Sequence, residues 1–267
     1  KNLVKALSQY GNKFEIHSIS RENNVSSKNS QKIHLVDLTN LNFLKQVVMN
    51  IDPNIIIHLA YSKQRNEKIG ISNQIYLLNL QISSNIIEAS RTLKSLKKFI
   101  FFGSCDEYGI QKNSFKENQL ERPLTSYGLS KLSITKKLKA LYLKENYPSV
   151  IIRPSVVYGE GQDESMFLPS LANSIRKEKN FKMTMGEQYR DYIYIDDLIE
   201  AIIILINNKN LGVGDIFNIT YGKSYQIKNI AIKLANLIKK DGELLLKFGG
   251  IDYRKTEVMN YFTSNQK

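Results

Sequence analysis

The stretch SYGLSK, which runs from Ser126 to Lys131, places a tyrosine four residues before a lysine. Residues with this spacing lie about 40° apart around a helix and share one face. An ammonium group beside a phenol favours the tyrosinate, so Lys131 is expected to lower the pKa of Tyr127 from about 10 toward the working range of a general acid or base. The spacing alone is weak evidence, because the chain contains 15 tyrosines and 38 lysines plus arginines.

The elements that would position this pair follow from hydrophobic periodicity. Short apolar runs rich in Ile, Val and Phe predict strands at 14–20, 32–36, 54–60, 97–104 and 149–155. Segments of helical period predict helices at 41–51, 71–93 and 125–146. This alternation predicts an α/β fold, a doubly wound parallel sheet covered on both faces. The polar run 21–32 is predicted to be a surface loop or partly disordered.

The two ends of the sequence do not match a complete fold of this type. KNLVKALSQYG, closed by Gly11, resembles the second half of a helix. A doubly wound nucleotide-binding fold places a strand and a glycine-rich turn before that helix, and the next glycine is Gly70. We therefore expect the given sequence to lack the first strand and the glycine-rich turn, and also residues at its other end.

Composition limits the class of protein. The content of 42% hydrophobic and 24% charged residues is typical of a soluble globular protein, and the apolar run at 201–206 is too short to span a bilayer. No signal-peptide pattern is visible, and a single cysteine, Cys105, is compatible with a reducing cytoplasm. Three histidines with that one cysteine do not predict a metal site. The net charge of +13 is spread along the chain, so we expect an anionic small substrate and no nucleic-acid or membrane partner.

Several short motifs follow the predicted strands and helices in chain order. They are Asp37-Leu38, HLA at 58–60, Asn79, Ser104 before EYG, SYGLSK, IIRPSVVYGEGQ, GEQYRDYIYIDDLIEAI, GDIFNITYGKS, and Arg254 with Glu257. Over essentially the whole chain this series resembles the extended short-chain dehydrogenase/reductase superfamily, and within it the NAD-dependent epimerase/dehydratase family acting on nucleotide sugars. RDYIYIDD and RPSVVYGEGQ downstream of Tyr-x-x-x-Lys are the most specific pieces.

The resemblance implies an NAD(P)-dependent enzyme with three catalytic residues. Tyr127 would transfer the proton, Lys131 would hold the nicotinamide ribose, and Ser104 would hydrogen-bond the sugar hydroxyl or carbonyl. The nicotinamide would carry the hydride. His58 is expected to be a hydrogen-bonding residue at a strand end, and Asn79 to support the site structurally.

The resemblance also implies which residues contact the cofactor. Ser20 stands where NAD-preferring members carry an acid, and Arg21 suits a 2′-phosphate, so NADP is favoured with NAD as the alternative. Lys131 and Tyr127 would lie at the nicotinamide end. The remaining implied contacts are with the adenosine, from Asp37, Leu38, Leu59 and Ala60.

The substrate half is implied to be a smaller C-terminal capping region. The Rossmann-type domain is expected at 1–155 plus 191–220, and the nucleotide-sugar region at 156–190 plus 221–267. Arg190 and Arg254 would bind the nucleotide diphosphate, because planar guanidinium groups suit phosphate oxygens. The alternative is that they form surface salt bridges, Arg190 with its neighbour Asp191 or Arg254 with Glu257.

The neighbouring aspartates of RDYIYIDD raise a separate question. Asp196 and Asp197 are expected to cap the helix LIEAIIILI rather than bind a metal.

The type of reaction is less clear from the sequence. Dehydratases of the family carry an acid pair directly after the Ser or Thr, at positions that here hold Cys105 and Asp106. Cys105 cannot act as the first acid, so dehydration is not expected, and the Asp-Glu of GSCDEYG is displaced by one position. Arg21 favours a reductase of a nucleotide-linked 4-keto-6-deoxy sugar. The alternatives are a 4-epimerase with tightly bound NAD and a non-catalytic regulator that senses the cofactor.

The long helices at 71–93 and 125–146 resemble those that pair across a two-fold axis in this superfamily. A homodimer with a four-helix bundle is therefore expected.

Overall fold

A computed structural model describes residues 1–21, 31–62, 73–111, 114–208 and 211–267. The predicted loop at 21–32 lies mostly outside these residues. Among the described residues, the helices are α1 (Asn2–Ser8), α2 (Leu41–Ile51), α3 (Asn73–Ser90), α4 (Ser126–Glu145), α5 (Phe167–Arg176), α6 (Ile195–Asn207) and α7 (Ile227–Ile238).

The strands of the described residues form parallel and antiparallel pairs. They are β1 (Ile16–Ser20), β2 (Gln31–Leu35), β3 (Ile55–His58), β4 (Lys98–Phe102), β5 (Ser149–Pro154), β6 (Val156–Tyr158), β7 (Phe181–Lys182), β8 (Tyr189–Tyr194), β9 (Ile216–Ile219), β10 (Ser224–Gln226) and β11 (Leu246–Lys247). Each predicted strand is found to within two residues at either end.

Most of the parallel strands lie in two sheets, one of β1 and β2 and one with the order β3-β4-β5-β9. Two short parallel pairs, β6 with β8 and β7 with β11, belong to separate sheets. The predicted α/β fold with parallel strands is confirmed, but β1 and β3 do not pair with each other among the described residues.

The predicted helices agree closely with the observed ones. The helix predicted at 41–51 is α2 over the same residues, and the one predicted at 125–146 is α4 within one residue at each end. The prediction that Asp196 and Asp197 cap α6 is wrong, because Tyr194 precedes the helix and the two aspartates lie in its first turn. Their charge is favourable there because it faces the positive end of the helix dipole.

Strand β4 shows why the sheet is covered on both faces. Alternate side chains of a strand point to opposite faces, so Phe99 and Phe101 pack into a core cluster with α2, α3 and α4. Ile100 and Phe102 pack on the other face with α1 and α6. Burial of this strand on both sides fixes the position of the residues that follow it.

A further core cluster is built around α5, α7 and the short parallel pair β7 and β11. Its central residues, such as Leu171 and Ala231, are fully buried. The domain boundaries and the homodimer stay predictions, although α3 and α4 do pack against each other. No helix of the described residues is long and apolar enough to cross a membrane.

Candidate active site

The turn after β4 is shaped by a capping box at Ser104. Ser104 precedes a 3₁₀ turn, Cys105–Glu107, and its Oγ accepts a hydrogen bond from the backbone N–H of Asp106 at 3.1 Å. Glu107 completes the box, because its Oε1 accepts from the backbone N–H of Ser104 at 3.0 Å. Ser104 is therefore held at the carboxyl end of β4, where sheets of this type bind ligands.

The first turn of α4 lies directly against that turn. Thr125 caps the helix, since its Oγ1 accepts from the backbone N–H of Gly128 at 3.0 Å. A Cβ atom at Gly128 would lie 2.7 Å from the carbonyl oxygen of Asp106. Only glycine allows this approach, which places Tyr127 next to Ser104.

The structure brings the three predicted catalytic residues together. The side chains of Tyr127 and Ser104 lie close enough that Ser104 favours the tyrosinate form of Tyr127. The Nζ atom of Lys131 lies 5.6 Å from the centre of the Tyr127 ring and donates to the carbonyl oxygen of Phe102 at 2.7 Å. Lys131 is only 5% exposed, so its ammonium group is held by protein and not by water.

The expected lowering of the Tyr127 pKa is not found. Burial is the largest effect and raises the pKa of Tyr127, the charge of Asp106 raises it further, and the nearby Ser104 side chain lowers it. Burial likewise lowers the pKa of Lys131 to about 8, although the charge of Glu107 acts in the opposite direction. The spacing rule considered charge attraction alone, whereas removal of water disfavours the charged forms of both groups.

Beneath the site lies a buried ion pair between Arg153 and Glu107. Both side chains have no exposed surface, and Arg153 Nη2 and Nε donate to Glu107 Oε2 at 2.7 and 3.0 Å. Arg153 also donates to Glu121 at 2.8 Å and stacks over Tyr108, with Cζ 4.5 Å from the ring centre. Because Glu107 also holds the backbone of Ser104, the pair links β5 to the turn after β4.

A cavity of about 160 Å³ opens beside this turn. Asp106, Arg190, Arg254 and Tyr261 are among the residues that line it. The Tyr261 hydroxyl donates to Asp106 Oδ1 at 3.0 Å, and burial raises the pKa of Asp106 in spite of that bond.

Sequence reasoning missed Asp106 and Tyr261 as site residues. From the sequence, Asp106 and Glu107 form an acid pair that is displaced by one position. In the structure the two differ, because Glu107 is buried in the ion pair while Asp106 faces the cavity. The spacing of Asp106 from Ser104 could have placed it, since both belong to one capped turn. Tyr261 carries no such sequence signal.

The two arginines expected to bind a diphosphate both line the cavity, but their pairing differs from the predicted salt bridges. Arg190 pairs with Glu257, and its Nη1 donates to the carbonyl oxygens of Tyr189 and Val258, both at 2.6 Å. Neither Arg190 with Asp191 nor Arg254 with Glu257 is an ion pair in the described part of the chain.

Asp191 has a structural role instead of pairing with Arg190. It accepts from the Ser155 hydroxyl at 3.0 Å and from the backbone N–H groups of Tyr221 and Gly222 at 3.1 and 2.9 Å. It therefore ties the end of β5 to the loop after β9.

The residues expected at the adenosine end of a cofactor lie at the ends of β1 and β2. Ser20 ends β1, and the next residue, Arg21, is exposed. Hydrogen bonds from Thr39 lower the pKa of Asp37, and the charge of Arg21 lowers it further. Leu38 packs against the core cluster, so its side chain serves the fold.

The carboxyl end of β3 leaves surface available for a dinucleotide. Leu59 is 47% exposed and Ala60 is also exposed, whereas His58 is buried and hydrogen-bonded to Ser83 at 2.9 Å. Asn79 accepts from the backbone N–H of Ser62 at 2.7 Å, which supports the loop after β3.

One buried donor makes the same region fit a cofactor. Asn79 Nδ2 has no hydrogen-bond partner within the described residues, and a buried donor without a partner is uncommon. These residues and the Lys131 ammonium are suited to a nicotinamide dinucleotide.

Comparison with known proteins supports this assignment. The model of a family described as "NAD dependent epimerase/dehydratase family" matches residues 1–220. The CDP-abequose synthase of Salmonella typhimurium is 30% identical over 119 residues, 44% of this chain and 40% of the relative. The dTDP-4-dehydro-6-deoxyglucose reductase of Escherichia coli is 31% identical over 198 residues, 70% of this chain and 60% of the relative. This chain therefore spans less than two thirds of either relative.

Among solved structures, the fold resembles that of a UDP-glucuronic acid 4-epimerase from Bacillus cereus in complex with UDP-glucuronic acid and NAD. The TM-score is 0.86 at 23% identity, over 99% of this chain and 86% of the other. At this identity the likeness is evidence for the fold.

Proposed function

Because the chain belongs to the NAD dependent epimerase/dehydratase family, we propose that it is an oxidoreductase of sugars linked to a nucleoside diphosphate. Its preferred reaction is reduction of the C4 ketone of a 4-keto-6-deoxy sugar. The observation that carries the proposal is the contact of Tyr127 with Ser104 and Lys131 at the carboxyl end of β4.

The proton-transfer roles follow from the chemistry of these side chains. A bound nicotinamide supplies the hydride. The hydroxyl groups of Ser104 and Tyr127 donate to the ketone oxygen, and Tyr127 gives its proton to the alkoxide that forms. Burial raises the pKa of Tyr127, so the phenol is protonated at neutral pH, which is the state that a proton donor requires. The nearby Lys131 ammonium stabilises the tyrosinate left after transfer.

Reduction is favoured over dehydration by the state of Cys105. The thiol is fully buried, donates to the carbonyl oxygen of Arg153 at 3.3 Å, and has a pKa raised well above its ordinary value by burial. It therefore cannot serve as an acid facing the cavity. The similarity to a reductase whose name gives a 4-dehydro-6-deoxy sugar as its substrate supports the same choice.

The proposed hydride donor is NADPH, with NADH as the alternative. Arg21 is exposed directly after β1, and a guanidinium group at this place suits a 2′-phosphate. Arg190 and Arg254, which line the cavity, are proposed to face the substrate diphosphate.

The test is a reductase assay with the purified full-length protein. We expect NADPH to be consumed with dTDP-4-keto-6-deoxyglucose or its counterparts on other nucleotides, and NADH to be consumed more slowly. Tyr127→Phe removes the proton donor and is expected to reduce the rate by about 10²-fold or more. The matched control is Tyr76→Phe, which removes a phenol hydroxyl bonded to Ser133 on α4 and should leave the rate unchanged.

Other outcomes would identify the alternatives. Turnover without added cofactor, with NAD released on denaturation, would replace the reductase by an epimerase. Full activity of Tyr127→Phe would refute the site. Tight and selective ligand binding without turnover would indicate a regulator instead of an enzyme.

A further inference from the structure

The ammonium group of Lys131 lies among three aromatic rings. Its Nζ atom is 5.1 Å from the centre of the Tyr61 ring, 5.1 Å from that of Phe101 and 5.6 Å from that of Tyr127. All three distances are within the range at which a cation is attracted to a ring face. The rings come from different parts of the fold, namely the loop after β3, strand β4 and helix α4.

Tyr61 differs from the other two rings in its surroundings. Phe101 is fully buried in the core, whereas Tyr61 is 37% exposed and does not belong to a core cluster of the described residues. Its ring centre is 5.3 Å from that of Tyr127, at an interplanar angle of 51°. Tyr61 therefore covers the site from the solvent side.

The charged groups around Lys131 act in opposite directions. Glu107, from the turn after β4, raises the pKa of Lys131, but that carboxylate is already paired with Arg153. His58, from β3, is neutral, because burial and the charge of Lys131 lower its pKa to about 3. Within the part of the chain that the structure describes, Glu107 is the carboxylate that acts on Lys131, so the rings and the Phe102 carbonyl oxygen replace water around the ammonium group.

We propose that Tyr61 is a positioning residue, which completes an aromatic cage of Tyr61, Phe101 and Tyr127 that holds Lys131 in its charged form. The ring provides attraction to the cation at a place where water is excluded. Since the charge of Lys131 stabilises the tyrosinate at Tyr127, loss of the cage would weaken the proton donor through the lysine. Only this last effect, on the proton donor Tyr127, rests on the proposed function.

The test is a titration of Lys131 in the unliganded full-length protein. Lysine labelled with ¹³C and ¹⁵N reports the charge of each side chain by NMR, and Lys131→Arg identifies the resonance. Tyr61→Leu keeps an apolar cover but removes the ring, so the pKa of Lys131 should fall by about half a unit to one unit. Tyr61→Phe keeps the ring and should leave that pKa unchanged. Tyr61→Met, also without a ring, repeats the test should Tyr61→Leu not fold.

Tyr10→Leu is the matched control, because Tyr10 also lies beside a lysine, Lys13, but on the exposed surface. It should not shift the Lys131 resonance. An unchanged or raised pKa of Lys131 in Tyr61→Leu, or a lowered one in Tyr61→Phe, would overturn the cage. The titration needs neither cofactor nor substrate, so its result is independent of the reductase assay. In an active enzyme, the alkaline limb of the pH–rate profile should move down in Tyr61→Leu and be restored in Tyr61→Phe.

Discussion

At the scale of single residues, the ion pair of Arg153 and Glu107 matters for stability because both partners are buried. Both side chains are fully buried, and burial raises the pKa of Glu107 even though Arg153 opposes that rise. A buried charge that loses its partner is costly, because neither water nor another ion replaces it. The pair also holds the backbone of Ser104, so its integrity matters for the catalytic turn.

We predict that Glu107→Gln lowers the free energy of unfolding by about 3–5 kcal/mol. Arg153→Met alone should lower the free energy of unfolding by a similar amount. The double variant should lose much less than the sum of the two single losses. Urea unfolding followed by circular dichroism measures all three. Additive losses, which would mean that the two residues do not interact, would contradict this prediction.

At the scale of elements, Lys98 ties strand β4 to the end of helix α6. The last carbonyl groups of a helix have no partner within it. Lys98 is 2% exposed, and its Nζ donates to the carbonyl oxygens of Leu205, Asn208 and Leu211 at 2.6, 2.7 and 3.0 Å. The positive charge also faces the negative end of the helix dipole. A lysine at the start of β4 thus donates hydrogen bonds to the end of a helix more than 100 residues later in the chain.

Lys98→Met should lower the free energy of unfolding by roughly 2–4 kcal/mol, because hydrogen bonds to charged groups are lost and carbonyl groups are left buried. The neighbouring residue offers a matched control, since the Lys97 side chain is exposed and its Nζ donates only weakly, at 3.5 Å, to the carbonyl oxygen of Lys94. Lys97→Met should change the stability by less than about 0.5 kcal/mol. Equal losses of stability in Lys98→Met and Lys97→Met, measured by thermal or urea unfolding, would argue against this role of Lys98 at the end of α6.

At the scale of the whole molecule, the buried His58 makes folding depend on pH. Burial and the charge of Lys131 lower the pKa of His58 to about 3, whereas an unfolded histidine has a pKa of about 6.5. Between these values the unfolded chain binds a proton that the folded chain does not. The contribution of His58 to the free energy of unfolding is therefore complete above pH 6.5 and is lost as the pH falls toward 3.

The predicted contribution of His58 is a loss of about 1.4 kcal/mol of unfolding free energy per pH unit below about 6. His58→Asn should flatten the dependence by that amount in urea unfolding between pH 4.5 and 7.5. Ser83→Ala removes the hydrogen-bond partner of His58 but not its titration, so it should lower stability while keeping the slope. An unaltered slope in His58→Asn would show that other groups dominate acid unfolding.

The sequence by itself determined the α/β class and the positions of β1 to β5, α2 and α4, and it predicted the trio of Ser104, Tyr127 and Lys131. These features depend on local periodicity, chain order and residues close in sequence, which are readable without coordinates. The exclusion of Cys105 as a catalytic acid likewise needed only its chemical type.

Only the tertiary structure decided which distant groups meet and how far each of them is shielded from water. Arg190 pairs with Glu257 across 67 positions, and Tyr261 reaches Asp106 across 155. The direction that the sequence predicted for the pKa shift of Tyr127 was also wrong. Spacing shows which residues share a helix face, but the exclusion of water, which dominates that shift, is a property of the packed site.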